Sequence, residues 1–115
     1  MPLSRRSRIY ISGPITRGDP IHNFHQAVSA QMELIQAGLA PLNPMLTMMM
    51  PGERMVRHHE WMEIDLPWVA VADAVLRLPG ESEGADAEVA AAMDRGIPVL
   101  YSVDQVVGYI KGSTQ

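Results

Sequence analysis

The chain has 115 residues, of which nine are basic and thirteen acidic, for a net charge of −4, and it contains no cysteine. That length suits one domain able to bury roughly two-thirds of its unfolded surface; with 47% hydrophobic and 19% charged residues, wholesale disorder is excluded. The missing cysteines exclude a disulfide scaffold, a thiolate metal site and a cysteine nucleophile. The negative charge argues against a general binder of nucleic acid or of anionic membranes.

The opening MPLSRRSRIYIS has arginines but no long apolar run, so no signal peptide is expected. The apolar stretch Leu66–Leu78 is broken by Pro67, Asp73 and Arg77 and is too short to span a bilayer. A cytoplasmic protein is expected, with residues 1–7 (Arg5 and Arg6 among them) and 112–115 as flexible, solvated tails around a domain over 1–115.

Arg8 to Ser12 reads as a strand, stopped by Gly13-Pro14. Asp19-Pro20 then forms an N-cap and first helical position. Phe24, Ala27, Val28, Met32, Leu34 and Ile35 recur at helical spacing up to a C-capping Gly38. Leu39–Leu42 is a short second strand, turned by Asn43-Pro44. Residues 45–56 hold five methionines and Pro51-Gly52, the mark of an apolar loop that fills gaps at a core edge or interface, or touches a ligand. Residues 57–72 read as a helix with Trp61, Ile64, Trp68 and Val71 along one face, kinked or split by Pro67.

Asp73–Leu78 is a third strand, closed by Pro79-Gly80. A polar loop leads to an alanine-rich helix from Ala85 to Arg95, capped by Gly96. Ile97–Tyr101 is a fourth strand. Ser102 and Gln105 form a capping box that opens a last helix to about Lys111. The order βαβαβαβα implies an α/β fold: a small doubly wound parallel sheet of four or five strands, flavodoxin-like or Rossmann-like, with helices on both faces.

Such sheets bind ligands beyond the carboxyl ends of their strands, where strand order reverses. Two loops qualify, Ser12 to Asp19 and Pro79 to Gly84, and they are expected to converge on one pocket. The first lacks the lysine of a P-loop and the spacing of a dinucleotide fingerprint. Ser12-Gly13-Pro14-Ile15-Thr16-Arg17-Gly18 suits a phosphate or sugar edge, or is an ordinary connection. Ser82 is either a helix cap or a phosphate ligand. Glu88 lies about a turn into the third helix, where the dipole should keep it ionised. An ionised carboxylate in a dry crevice can attack an anomeric carbon. Asp65 offers a second carboxylate for acid chemistry, or is a solvated helix residue. Asp73 reads as structural, bonding backbone amides. His22, His25, His58 and His59 lack the spacing or partners of a metal site, so no metal is expected.

The run from Ile9 to Thr16, Asn23-Phe24 and the stretch Gly38–Pro44 resemble the N-terminal half of the nucleoside 2-deoxyribosyltransferase-like family. Asp65-Leu66, Ala72–Ala74, Leu78–Gly80, Ser82 and Gly84–Glu88 resemble its C-terminal half. The likeness covers about residues 8–101 and is nearest to short bacterial and phage members of unassigned function. It implies Glu88 as nucleophile and Asp65 as the group assisting departure of the base. It implies a substrate pocket from Tyr10, Ser12, Gly13, Pro14, Ile15, Thr16, Arg17, Asn23, Pro79, Gly80, Ser82 and Gly84, with Ser82 toward a 5′-phosphate. It also implies a homo-oligomer, a small-molecule nucleoside or nucleotide as partner, and no cofactor. Glu81 stands where many short relatives carry a tryptophan, and with Glu83 it adds negative charge near the phosphate side. Nucleoside and 5′-monophosphate therefore both stay open as substrates. The expected activity is cleavage or transfer at an N-glycosidic bond, with a non-catalytic nucleotide-binding module of the same fold as the alternative.

Overall fold

A computed structural model describes residues 5–44 and 58–113. The elements run β1 (Arg8–Ser12), α1 (Pro20–Gln36), β2 (Ala40–Leu42), α2 (His58–Val69), β3 (Ala74–Arg77), α3 (Glu83–Asp94), β4 (Val99–Leu100) and α4 (Val103–Ser113). The strands form one four-stranded sheet in the order β2-β1-β3-β4, and each adjacent pair is parallel. This is the doubly wound α/β architecture.

Alternation along β1 assigns its side chains to opposite faces. Ile9 and Ile11 join Ala27, Ala30 and Leu34 of α1 and Val106 of α4 in one core. Tyr10 joins Val69 of α2, Val75 of β3 and Ala92 of α3 in another. Because α1 covers one face while α2 and α3 cover the other, the winding reverses between β1 and β3. The crevice beyond their carboxyl ends is therefore the switch point.

Local signals explain the helix ends. Asp19 Oδ1 accepts from the amides of Ile21 (3.0 Å) and His22 (3.3 Å), with Pro20 in the first turn, as its missing N–H permits. At the other end Gly38 has φ +88°. Leu39 N–H reaches Leu34 O and Gly38 N–H reaches Ile35 O, a Schellman closure whose two leucines share the core. α3 ends the same way, with Gly96 at φ +71° and Ile97 N–H on Ala92 O. Gln105 N–H donates to Ser102 Oγ (3.1 Å), while Gln105 Oε1 accepts from Tyr101 N–H (2.9 Å).

Several expectations need correction. Met32 and Ile35 are exposed, and the buried stripe of α1 is Asn23, Ala27, Ala30 and Leu34. Small residues let the helix approach the sheet closely, so the larger side chains are turned outward. Ile64, Trp68 and Val71 are exposed too, and Val69 is the core contact of that segment. Pro67 does not split α2; it falls in the last turns of one continuous helix, where few bonds depend on it. Arg5 and Arg6 are not a free tail. Arg5 Nη2 donates to both oxygens of Asp73 at 3.2 Å, and Arg6 Nη1 donates to Leu39 O at 3.2 Å. Asp73 also accepts from Arg8 N–H at 2.7 Å, the structural role expected of it. Gly112 belongs to α4, not to a tail. The methionine-rich stretch 45–56, Met1–Ser4 and Thr114–Gln115 lie outside the described residues.

Candidate active site

The loops after β1 and β3 are pressed together. Leu78 N–H donates to Ser12 O at 2.7 Å, extending the β1–β3 ladder past its last strand pair. A Cβ on Gly13 would lie 3.0 Å from Leu78 Cβ. Gly80 has φ +117°, and a Cβ there would lie 2.7 Å from Pro14 Cγ, so both conformation and space require glycine. Gln26 Nε2 donates to Pro79 O at 3.1 Å, and Arg17 pairs with Glu81 across the loops at 3.1 Å. That pair is exposed and contributes little energy, but it absorbs part of the negative charge expected at Glu81.

Glu88 projects from α3 into the space behind these loops and is 5% exposed. Its Oε2 accepts from Tyr10 Oη at 2.5 Å and its Oε1 accepts from Ser12 Oγ at 2.7 Å. Tyr10 and Ser12 are themselves fully buried. Two residues apart on one strand, they reach the same face, and each takes one oxygen of the carboxylate. Burial pushes the Glu88 carboxyl above the usual carboxylate range. The hydrogen bonds from Tyr10 and Ser12 and the charge of Arg77 act downward, and the charge of Asp65 acts upward. Burial, followed by the charge of Glu88, raises the Tyr10 phenol far above its ordinary value, so it stays a donor. The expectation that the helix dipole governs Glu88 is corrected. α3 begins at Glu83, which puts Glu88 beyond the first turn where the dipole acts, and desolvation dominates.

Asp65 stands on α2, half-buried, close enough for its charge to act on Glu88 and Tyr10. Burial raises its carboxyl as well. The site therefore brings two carboxyls together in partly desolvated settings, one doubly hydrogen-bonded and one not held in that way by β1.

The remaining expected residues divide. Ser12 and Tyr10 meet Glu88 directly, with almost none of their surface exposed. Ile15 packs into the α1/α4 core instead. Asn23 is buried and clamps the first loop, its Nδ2 donating to Arg17 O (2.8 Å) and Ile15 O (3.2 Å). Ser82 caps α3 through Ala85 N–H at 3.0 Å, the structural one of its two readings, and remains half-buried at the rim. Pro14 is buried against Gly80; Thr16, Arg17, Pro79 and Gly80 are exposed at the crevice mouth, and Gly84 lies in the first turn of α3. Sequence reasoning missed Arg77, although a cation inside the run Ala-Val-Leu-Arg-Leu was a visible signal. A cleft of about 350 Å³ lined by Arg77, Pro79, Gly80, Asp86, Val89 and Tyr101 adjoins the site on the β4 side. Another of about 440 Å³, lined by Tyr10, Leu42, Trp68 and Val71 among others, lies on the β2 side. Among the described residues no three His, Asp or Glu side chains are grouped to hold a metal ion.

The sequence of residues 7–101 matches the family model of DUF4406, a domain of unknown function. The chain belongs to that family. No curated protein matches the chain in sequence. Among solved structures it is similar to a 2-deoxyribosyltransferase from the psychrotolerant bacterium Bacillus psychrosaccharolyticus, with a TM-score of 0.65 and 19% identity over 81% of this chain and 69% of that one. It is also similar to a conserved protein from Enterococcus faecalis V583, with a TM-score of 0.64 and 18% identity over 82% of this chain and 61% of that one. At these identities the likeness establishes a shared fold. The chain spans only about three-fifths of the Enterococcus protein. No helix among the described residues is long and apolar enough to cross a membrane.

Proposed function

We propose that the protein cleaves or transfers at the N-glycosidic bond of a deoxynucleoside or its 5′-monophosphate, with Glu88 as nucleophile. The observation that carries this reading is a carboxylate, buried at the switch point of the sheet, whose two oxygens are held by Tyr10 and Ser12. Fixing both oxygens removes rotational freedom before reaction, and excluding water strengthens the attraction between the carboxylate and a carbon becoming positive. One Glu88 oxygen forms a bond to C1′ as the C1′–N bond breaks and its electron pair leaves with the base. Asp65, raised by burial, gives the departing base its proton. Water, or a second base, then attacks C1′, gives its proton to the Asp65 carboxylate and frees Glu88, giving hydrolysis or transfer respectively.

The Bacillus protein is a 2-deoxyribosyltransferase, and the shared fold supports this reaction class. The crevice mouth, with Thr16, Arg17, Gly80 and Ser82, would take the sugar and its 5′ substituent, and the reading requires no cofactor. A homo-oligomer belongs to the same proposal, because Leu42 on the β2 edge, Ile64 and Trp68 on α2 and Val71 just after it leave apolar surface exposed; a cytoplasmic location is proposed with it. The test is incubation with a panel of deoxynucleosides and their 5′-monophosphates, with chromatography for free base. Base release that is lost in Glu88→Gln is the expected result. Binding of a nucleotide by calorimetry with no base release from any substrate would overturn catalysis and leave a nucleotide-binding module.

A further inference from the structure

Arg77 ends β3 on the same face as Val75, opposite Ser12 in the β1–β3 register, and its side chain is 11% exposed. A nearly buried guanidinium needs acceptors, and it finds three. Nη1 donates to Leu78 O, and Nη2 donates to Gly80 O (2.9 Å) and to Asp86 Oδ1 (3.1 Å). These acceptors belong to the end of the strand, the tight turn and the first turn of α3. The planar fork of arginine serves all three through two nitrogens set apart, where a lysine would have one. The segment thus tied holds Gly80, which presses on Pro14, and Ser82, which caps the helix carrying Glu88.

The groups facing Glu88 are Tyr10 and Ser12 from β1, Asp65 from α2 and Arg77 from β3. Among these, Arg77 alone brings a positive charge. Asp86 lies on α3 itself, mostly exposed, with its charge on Arg77.

We propose that Arg77 is a positioning residue for Glu88: it locks the β3–α3 turn onto α3 and sets a positive charge beside the carboxylate, a charge that Asp86 partly cancels. The catalytic meaning rests on the proposed nucleophile, but the positioning itself is measurable without turnover.

The experiment is a carbon-13 NMR titration of protein labelled at the glutamate carboxyl carbon, with the Glu88 signal assigned by its loss in Glu88→Gln. Arg77→Met should move the Glu88 midpoint up, the direction expected on losing an opposite charge that acts on it. Asp86→Asn should move it the other way, by a few tenths of a unit, because the Arg77 charge is then less compensated. Arg77→Lys should leave the midpoint close to wild type but speed hydrogen exchange at the amides of Gly80 to Ser82. Base release, where measured, should show its acid limb shifted by the same amounts. A Glu88 midpoint unmoved in Arg77→Met, or moved in the same direction by Arg77→Met and Asp86→Asn, overturns the proposal. Arg77→Lys keeps the charge and loses the fork, so its hydrogen-exchange readout keeps the proposal testable even if Arg77→Met fails to fold. A wild type without base release overturns the nucleophile reading alone and leaves the titration result standing.

Discussion

On one side of β1, Ile9 and Ile11 pack among Leu34, Leu76 and Val106; on the other, Tyr10 and Ser12 of the same strand hold a carboxylate. The first side gains free energy from every apolar atom it removes from water, about 1.5–3 kcal/mol for each fully buried aliphatic chain. The second buries a group that water would solvate better and offsets that cost only in part with two hydrogen bonds. The α1/α4 face is apolar throughout at β1, and the α2/α3 face sets a buried carboxylate beside its own smaller apolar core of Val69, Val75 and Ala92. Substitutions on the two faces should separate folding from turnover.

Glu88→Gln should produce the largest effect and only on the chemical side. Base release should fall about 10³-fold or more, since nucleophile and charge are lost together. Its melting temperature at pH 8 should equal or exceed wild type, because an uncharged amide avoids the burial cost. The sign follows from the raised carboxyl. A folded-state value above the unfolded one gives a stabilising contribution that is present below the ordinary carboxylate range and lost as pH rises through the raised value. The difference between the two proteins should therefore vanish in melts at about pH 4. A Gln variant markedly less stable at pH 8 would mean that Glu88 is chiefly a structural acceptor.

Leu34→Ala is the converse. Leu34 is wholly buried, so urea unfolding should show a loss of about 2–5 kcal/mol. Turnover per folded molecule should stay near wild type, and a matching fall in turnover would show that the two faces are coupled.

Tyr10→Phe lies between them. It leaves Glu88 Oε2 without its phenol donor, which should cost about 1–3 kcal/mol at pH 8 and much less at pH 4, where the carboxyl is protonated. Equal losses at both pH values would assign the effect to packing. Glu81→Gln should be the smallest, within about 0.5 kcal/mol in the same unfolding assay, because its pair with Arg17 is exposed.

The parts of the molecule legible in sequence are those set by local chemistry. Asp19-Pro20, Gly38, Gly96 and Ser102 with Gln105 mark helix ends because capping involves residues a few places apart. β1 and the two loops at the switch point were legible from strand pattern and Gly-Pro signals, and Glu88 from its place on α3. What escaped depends on partners far along the chain. Met32, Ile35, Trp68 and Val71 are apolar at helical spacing, yet which stripe meets the sheet depends on the small residues that fit against it. The family resemblance names Tyr10 and Ser12 as substrate-side residues, and nothing near them in the sequence signals that their hydroxyls meet Glu88 of α3. Arg5 reads as tail until Asp73, in a different part of the chain, supplies its partner.

The bond between Tyr10 and Glu88 joins residues 78 positions apart, and that between Ser12 and Glu88 joins residues 76 apart. β1 emerges first in synthesis, yet both of its neighbours in the sheet come later, and the one that completes the crevice begins at Ala74. A nascent chain ending before β3 would carry Tyr10 and Ser12 with no carboxylate to receive them and β1 with an unpaired edge. The crevice is thus a late product of folding, formed after segments 76 to 78 residues apart have met, which is the slow kind of pairing. Shortening from the C-terminal side should abolish the site before it abolishes the helix propensity of α1. Until β3 docks, a strand from the centre of the native sheet is left open to pairing with another chain.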